Sequence, residues 1–120
     1  MTMSFFDLLD GLLTTLDVPF YEGQPEFERS PPEVFVTYSV YDVPNLRGCG
    51  LEITTTYHVT VNIYATGVNR HSSAVTLGET LTDLLTDNGF VRRTGIFGLS
   101  NDFPRYYHRV MEFDYDYERT

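Results

Sequence analysis

The sequence predicts an α+β domain: a mainly antiparallel β-sheet with two α-helices packed on one face. Two observations carry this. Thr54–Thr66 alternates without a fault, with Tyr57, Val59, Val61, Ile63 and Ala65 on one face and His58, Thr60, Asn62, Tyr64 and Thr66 on the other. A side-chain period of two, filled by β-branched and aromatic residues, is a strand signal. Two other stretches, one N-terminal and one following Gly67, instead place leucines at helical spacing.

The first helix opens at Ser4, which can cap, with Asp7 three residues on as a short-armed capping box. Phe5, Leu9, Leu12, Leu13 and Leu16 form its apolar stripe, and Asp7 and Asp10 suit the positive end of its dipole. Asp17-Val18-Pro19 ends it, because a residue before proline is pushed out of the α region. Val18–Glu22 is a short strand candidate, and Gln24–Pro32, with three prolines and no period, a loop. Glu33–Asp42 is a long strand, apolar in part on both faces, which suits a central position. Val43–Leu51 breaks the alternation with Pro44, Gly48 and Gly50, so a long hairpin joins this strand to Thr54–Thr66. The Asp42–Ile53 segment is then either an arm reaching beyond the domain or an ordinary loop.

Gly67-Val68-Asn69 turns the chain, and Ser72 or Ser73 is expected to cap a second helix running to about Asn88. Ala74, Leu77, Gly78, Leu81, Leu84, Leu85 and Asn88 line its inner side, and Asn88-Gly89 supplies a left-handed stop. Phe90–Phe97 is a further strand and Gly98–Pro104 a loop. Tyr106–Glu118 alternates again. Tyr107, Arg109, Met111, Phe113, Tyr115 and Tyr117 share one face, and His108, Val110, Glu112, Asp114, Asp116 and Glu118 the other.

The 120 residues make one domain, 1–120, with 42% hydrophobic residues and therefore enough to build a core. Nine Tyr and nine Phe favour sheets and packed interfaces. The one cysteine, Cys49, excludes a disulfide framework and a multi-cysteine zinc site. No basic-then-apolar leader and no stretch of membrane-spanning length stands in the sequence, so a soluble chain with no membrane partner is expected. A net charge of −9 argues against binding free nucleic acid. All eight basic residues are Arg, which suits bidentate pairing at interfaces, although codon bias in a GC-rich genome is the simpler reading.

The residues offer little catalytic chemistry. His58 and His108 both fall on polar strand faces, where neighbouring strands could set them beside Asp114 or Glu112 as a metal or acid–base site. Surface histidines on a wet face are the simpler reading, since no ligand spacing supports a site. Cys49 lies beside Arg47 with no histidine base nearby, and Gly48 and Gly50 make no phosphate loop. Asp114, Asp116 and Glu118 read as a cation site or as a solvated edge that resists aggregation. Arg92-Arg93 is too small for a nucleic-acid footprint.

The layout as a whole resembles a known family. The helix ending Leu16-Asp17-Val18-Pro19-Phe20-Tyr21, the segment Pro32-Glu33-Val34-Phe35-Val36-Thr37-Tyr38, the strand Tyr57–Val61, the helix stop Asn88-Gly89-Phe90 and the strand Tyr107–Phe113 follow one another as in the tail-completion, or tail-terminator, proteins of long-tailed bacteriophages. The resemblance implies a non-enzymatic virion protein without cofactors, assembled in the host cytoplasm. It would form a ring, typically of six copies, at the head-proximal end of the tail tube. There it would stop tube polymerisation and offer a surface to the head connector, while the genome passes through the lumen without specific binding. The family brings no catalytic residues. The contacts expected for such a ring are Asn45, Leu46, Arg47 and Leu51 on the arm, Arg92 and Arg93, Asp102 in the Gly98–Pro104 loop, and Asp114 and Asp116 on the last strand. A head-closure or neck protein is the near alternative. A small metal-dependent enzyme using His58 and His108, or a host-encoded adaptor domain, is the more distant one.

Overall fold

A computed structural model describes residues 4–23, 31–46, 53–99 and 105–119, with backbone placement alone for 44–46, 53–54, 94–99 and 117–119. The elements are α1 (Phe5–Thr14), β1 (Phe20–Glu22), β2 (Val34–Leu46), β3 (Ile53–Ala65), α2 (Arg70–Thr86), β4 (Val91–Leu99) and β5 (Tyr107–Arg119). The five strands form one sheet in the order β1-β2-β3-β5-β4. β1 runs parallel to β2, and every other pair is antiparallel. The expected α+β architecture is present.

β2, β3 and β5 are thirteen residues each and pair along their whole length, from Val34↔Ala65↔Tyr107 at one end to Leu46↔Ile53↔Arg119 at the other. Such a ladder is about 40 Å long at roughly 3.3 Å per residue. β2 therefore runs deeper into the expected hairpin break than the sequence indicated: Pro44 lies within it, facing Thr55. A ladder already in register holds its pairing past one proline, which costs one donor. Residues 47–52, including Arg47, Gly48, Cys49, Gly50 and Leu51, lie outside the described residues, as do 24–30 of the Pro-rich segment.

Both helices lie on one face. Phe5, Leu9 and Leu13 of α1 and Ala74, Leu81 and Leu85 of α2 share a core with Val36, Tyr38, Val59, Val61, Ile63, Met111 and Phe113. Each large side chain so buried contributes about 1.5–3 kcal/mol. At the start of α1 the Ser4 hydroxyl accepts a hydrogen bond from the Asp7 amide at 3.1 Å. Asp17 follows the helix at φ 57°, a left-handed conformation that aspartate tolerates better than most residues.

α2 starts earlier than expected. Its N-cap is Asn69, not Ser72 or Ser73, and no side chain caps it; the Ser72 hydroxyl instead donates to the Asn69 carbonyl. At its other end Phe90 N–H donates to Leu85 C=O and Gly89 N–H to Thr86 C=O, with Gly89 at φ 94°. This is a Schellman stop, with Phe90 buried against the core beyond it. Asn88, expected on the inner stripe, is exposed and bonds back to the Leu84 carbonyl.

β5 is an interior strand, between β3 and β4. Asp114 therefore does not guard a sheet edge, whereas Asp116 lies past the last β4 partner, where β5 is an outer strand. β4 pairs with β5 only from Tyr107 to Asp114. Past that point β2, β3 and β5 continue without it as a three-stranded arm: Asp42–Leu46, Ile53–Tyr57 and Tyr115–Arg119. The protein is accordingly elongated, 56 × 27 × 25 Å.

Candidate functional site

The sheet face opposite the helices carries the polar chemistry, because the period of two sends the even-numbered residues of β3 and β5 there. Four cross-strand positions meet at the root of the arm. His58 Nδ1 and Asp114 Oδ1 are 2.7 Å apart, and Arg93 Nη1 donates to Asp114 Oδ2 at 2.8 Å. The exposed Tyr41 ring stacks on His58 at 4.6 Å and 23°. Together with Thr60 and Glu112 these side chains border a shallow depression of about 170 Å³.

Partial burial pushes the Asp114 carboxyl up, but the hydrogen bonds and charges of Arg93 and His58 outweigh it and hold the group below its usual value. Arg93 is pushed up in return, chiefly by its hydrogen bond to Asp114. Each carboxylate oxygen holds one partner, so Asp114 fixes both His58 and Arg93 in place.

Strand alternation divides the arginine pair, and a β-bulge between Arg92 and Thr94 follows it. Arg93 reaches the open face and Asp114, while Arg92 faces Phe113 in the register and lies on the helix side. The expected joint basic spot is thus two separate cations on opposite faces.

The two histidines that adjacent strands could have paired are held apart. His58 faces Asp114, whereas His108 faces Tyr64, six residues farther along β3. That separation is about 20 Å. His108 stacks on Tyr64 at 4.4 Å and its Nε2 lies 2.7 Å from Asn62 Oδ1. His71 is packed edge-on to Tyr107, on the helix side. Among the described residues no three His, Cys, Asp or Glu side chains converge as a metal site. The His58–His108 centre is corrected accordingly.

The same face holds a second, smaller core of Phe35, Tyr64 and Tyr106. Phe35 and Tyr64 stack at 4.8 Å, and the Tyr106 hydroxyl donates to the carbonyls of Pro31 and Pro32 at 3.1 and 2.8 Å. This explains why the β2 stretch is apolar on both sides.

The arm gathers contact residues that are far apart in the chain. Asn45 and Leu46 end β2, and Asp116 stands across from Thr56, whose hydroxyl it accepts at 2.7 Å. Glu118 is in the same arm, facing Thr54. The described start of the Gly98–Pro104 segment, Gly98 and Leu99, is at the opposite end of the sheet, about 40 Å away by strand length. These two residues belong to β4 rather than to a loop, and Asp102 lies outside the described residues.

One feature on the helix side escaped the sequence reading. Arg109 is buried at 6% exposure beneath α2, with Nη1 directed at the Val75 carbonyl at 3.5 Å. Burial pushes its guanidinium down, Arg92 adds to that, and Glu79 opposes it. An arginine in an otherwise apolar alternation, together with a glycine in mid-helix, was the available signal.

Compared with known proteins, the chain matches no family model and no curated sequence.

Proposed function

We propose that this chain is a structural subunit that closes the head-proximal end of a long-tailed phage tail tube as a ring of six copies, and that it performs no catalysis there. The observation that carries the reading is the three-stranded arm. Extended strands past a compact core provide backbone and side-chain surface to a partner in an assembly without disturbing packing, and head-to-tail contacts between copies close into rings. The arm unites two elements that the resemblance points to, the Asp42–Ile53 segment and the acidic last strand.

Under this reading the partners are further copies of the chain, the tail-tube protein and the head connector. The protein is then part of the virion, at the head-proximal end of the tail. The net charge of −9 per copy suits a lumen that repels DNA and lets it slide. Among the described residues no helix is long and apolar enough to cross a membrane.

The test is to mix the purified protein with its polymerising tube protein and image the products by negative stain. Tubes of limited length, each with a small ring at one end, are the expected result. Tubes that grow unchanged and uncapped overturn the reading and move the assignment to a head-closure or neck role, tested next by binding to filled heads.

A further inference from the structure

The two edges of the sheet differ in charge, and one of them carries a run of uncharged residues. β4 is the edge strand on one side and β1 on the other. From Thr94 to Leu99, β4 reads TGIFGL, with no charge and no proline. Soluble proteins usually blunt such an edge with charges, prolines or a cover, because its free backbone groups template pairing with another chain. The one irregularity, the Arg92/Thr94 bulge, sits at the start of the strand and leaves these six residues regular.

Arg92 is exposed at the β4 edge on the helix side. At the opposite edge the exposed Glu22 ends β1, and Asp10 on α1 is close enough that both carboxylates act on the Tyr38 hydroxyl. Phe20 packs into the helix-side core and Tyr21 against Phe35 on the other face, so alternation returns Glu22 to the helix side. The two edges therefore carry opposite charges on the same face.

Strand direction agrees. β1 and β2 run one way, β3 the other, β5 back again and β4 opposite to β5. A second copy laid beside the first, with its helices on the same side, sets its β1 antiparallel to β4. Through the ladders Glu22 is level with Gly95, two residues from the bulge that holds Arg92, so a straight continuation brings the two charges within about 7–10 Å before any stagger. Arginine and glutamate side chains span that gap.

We infer that copies of this chain join edge to edge, β4 of one to β1 of the next, with Arg92 facing the Glu22–Asp10 side of its neighbour. The contact is heterologous, so it repeats around a ring and leaves the three-stranded arms of all copies on one rim. Ring closure rests on the tail-completion reading; the edge contact itself does not.

The experiment is a charge swap, read by sedimentation velocity at high micromolar concentration. The wild-type protein is expected to associate. Arg92→Glu and Glu22→Arg, each alone, set like charges together and move the association midpoint to about tenfold higher concentration. An equimolar mixture of the two variants restores an opposite pair at every contact and recovers wild-type association, which also shows that both variants are folded. A monomeric wild-type protein overturns the inference, while the tube-capping assay still decides the tail reading. So does a mixture that fails to recover, or a two-fold dimer indifferent to Glu22→Arg, which would point to β4 pairing with β4.

Discussion

Gly78 of α2 has no side chain where the guanidinium of Arg109 from β5 lies: a Cβ at Gly78 would come within 2.8 Å of Arg109 Cζ and nearer still to Nη1. The helix can therefore sit close on the sheet over a buried cation. In an open helix alanine would be better than glycine by roughly 1 kcal/mol. Here overpacking is the larger effect, so Gly78→Ala is expected to destabilise by about 1–3 kcal/mol in urea unfolding. Arg109→Met in the same chain removes the clash, and the double variant should be more stable than Gly78→Ala alone. A stabilised single variant would mean that the guanidinium swings aside at no cost.

Phe5 stacks on Tyr57 with ring centroids 3.9 Å apart and planes 2° from parallel, and it also touches Tyr115 and Phe90. It clamps α1 onto the sheet where the arm begins. Phe5→Ala is expected to cost about 3–5 kcal/mol. Phe6, half exposed beside it, should cost much less when truncated, about 1 kcal/mol or below. Equal losses in thermal unfolding would show that the clamp is not where the helix is held.

Asp114 makes stability depend on pH in a defined direction. Its carboxyl titrates below the ordinary value in the folded chain, because the Arg93 and His58 hydrogen bonds outweigh desolvation. The contribution is complete above the unfolded value of about 3.9 and is lost as the pH falls through the lower folded value. The stability difference between wild type and Asp114→Asn should be about 1–2 kcal/mol at pH 5–6 and shrink below about pH 4. A difference that persists unchanged to pH 2 would contradict the charged pairing.

Trimming Asn45–Gly50 is expected to leave the folded core intact, since the shared core begins farther down the strands, at Val40, Tyr57 and Tyr115. Circular dichroism and urea unfolding should change little, whereas tube capping should fail. A trimmed protein that still caps tubes would reduce this stretch to a connecting loop.

Local patterning made most of the fold legible. The alternation of Thr54–Thr66 and Tyr106–Glu118 and the leucine spacing of both helices assigned the elements and their inner faces, because period and burial are properties of contiguous residues. Even the stop at Gly89 was readable, since a left-handed turn selects glycine. The candidate site was legible only as residue types. Whether His58 meets His108 or Asp114, and whether β5 is an edge or an interior strand, depend on strand order and register. Those are set by contacts between residues some fifty positions apart, such as His58 with Asp114, on which local periodicity is silent. The sequence by itself determined which side chains face the core; the tertiary structure decided which polar groups become neighbours, because register across strands is fixed by the packing of the whole sheet.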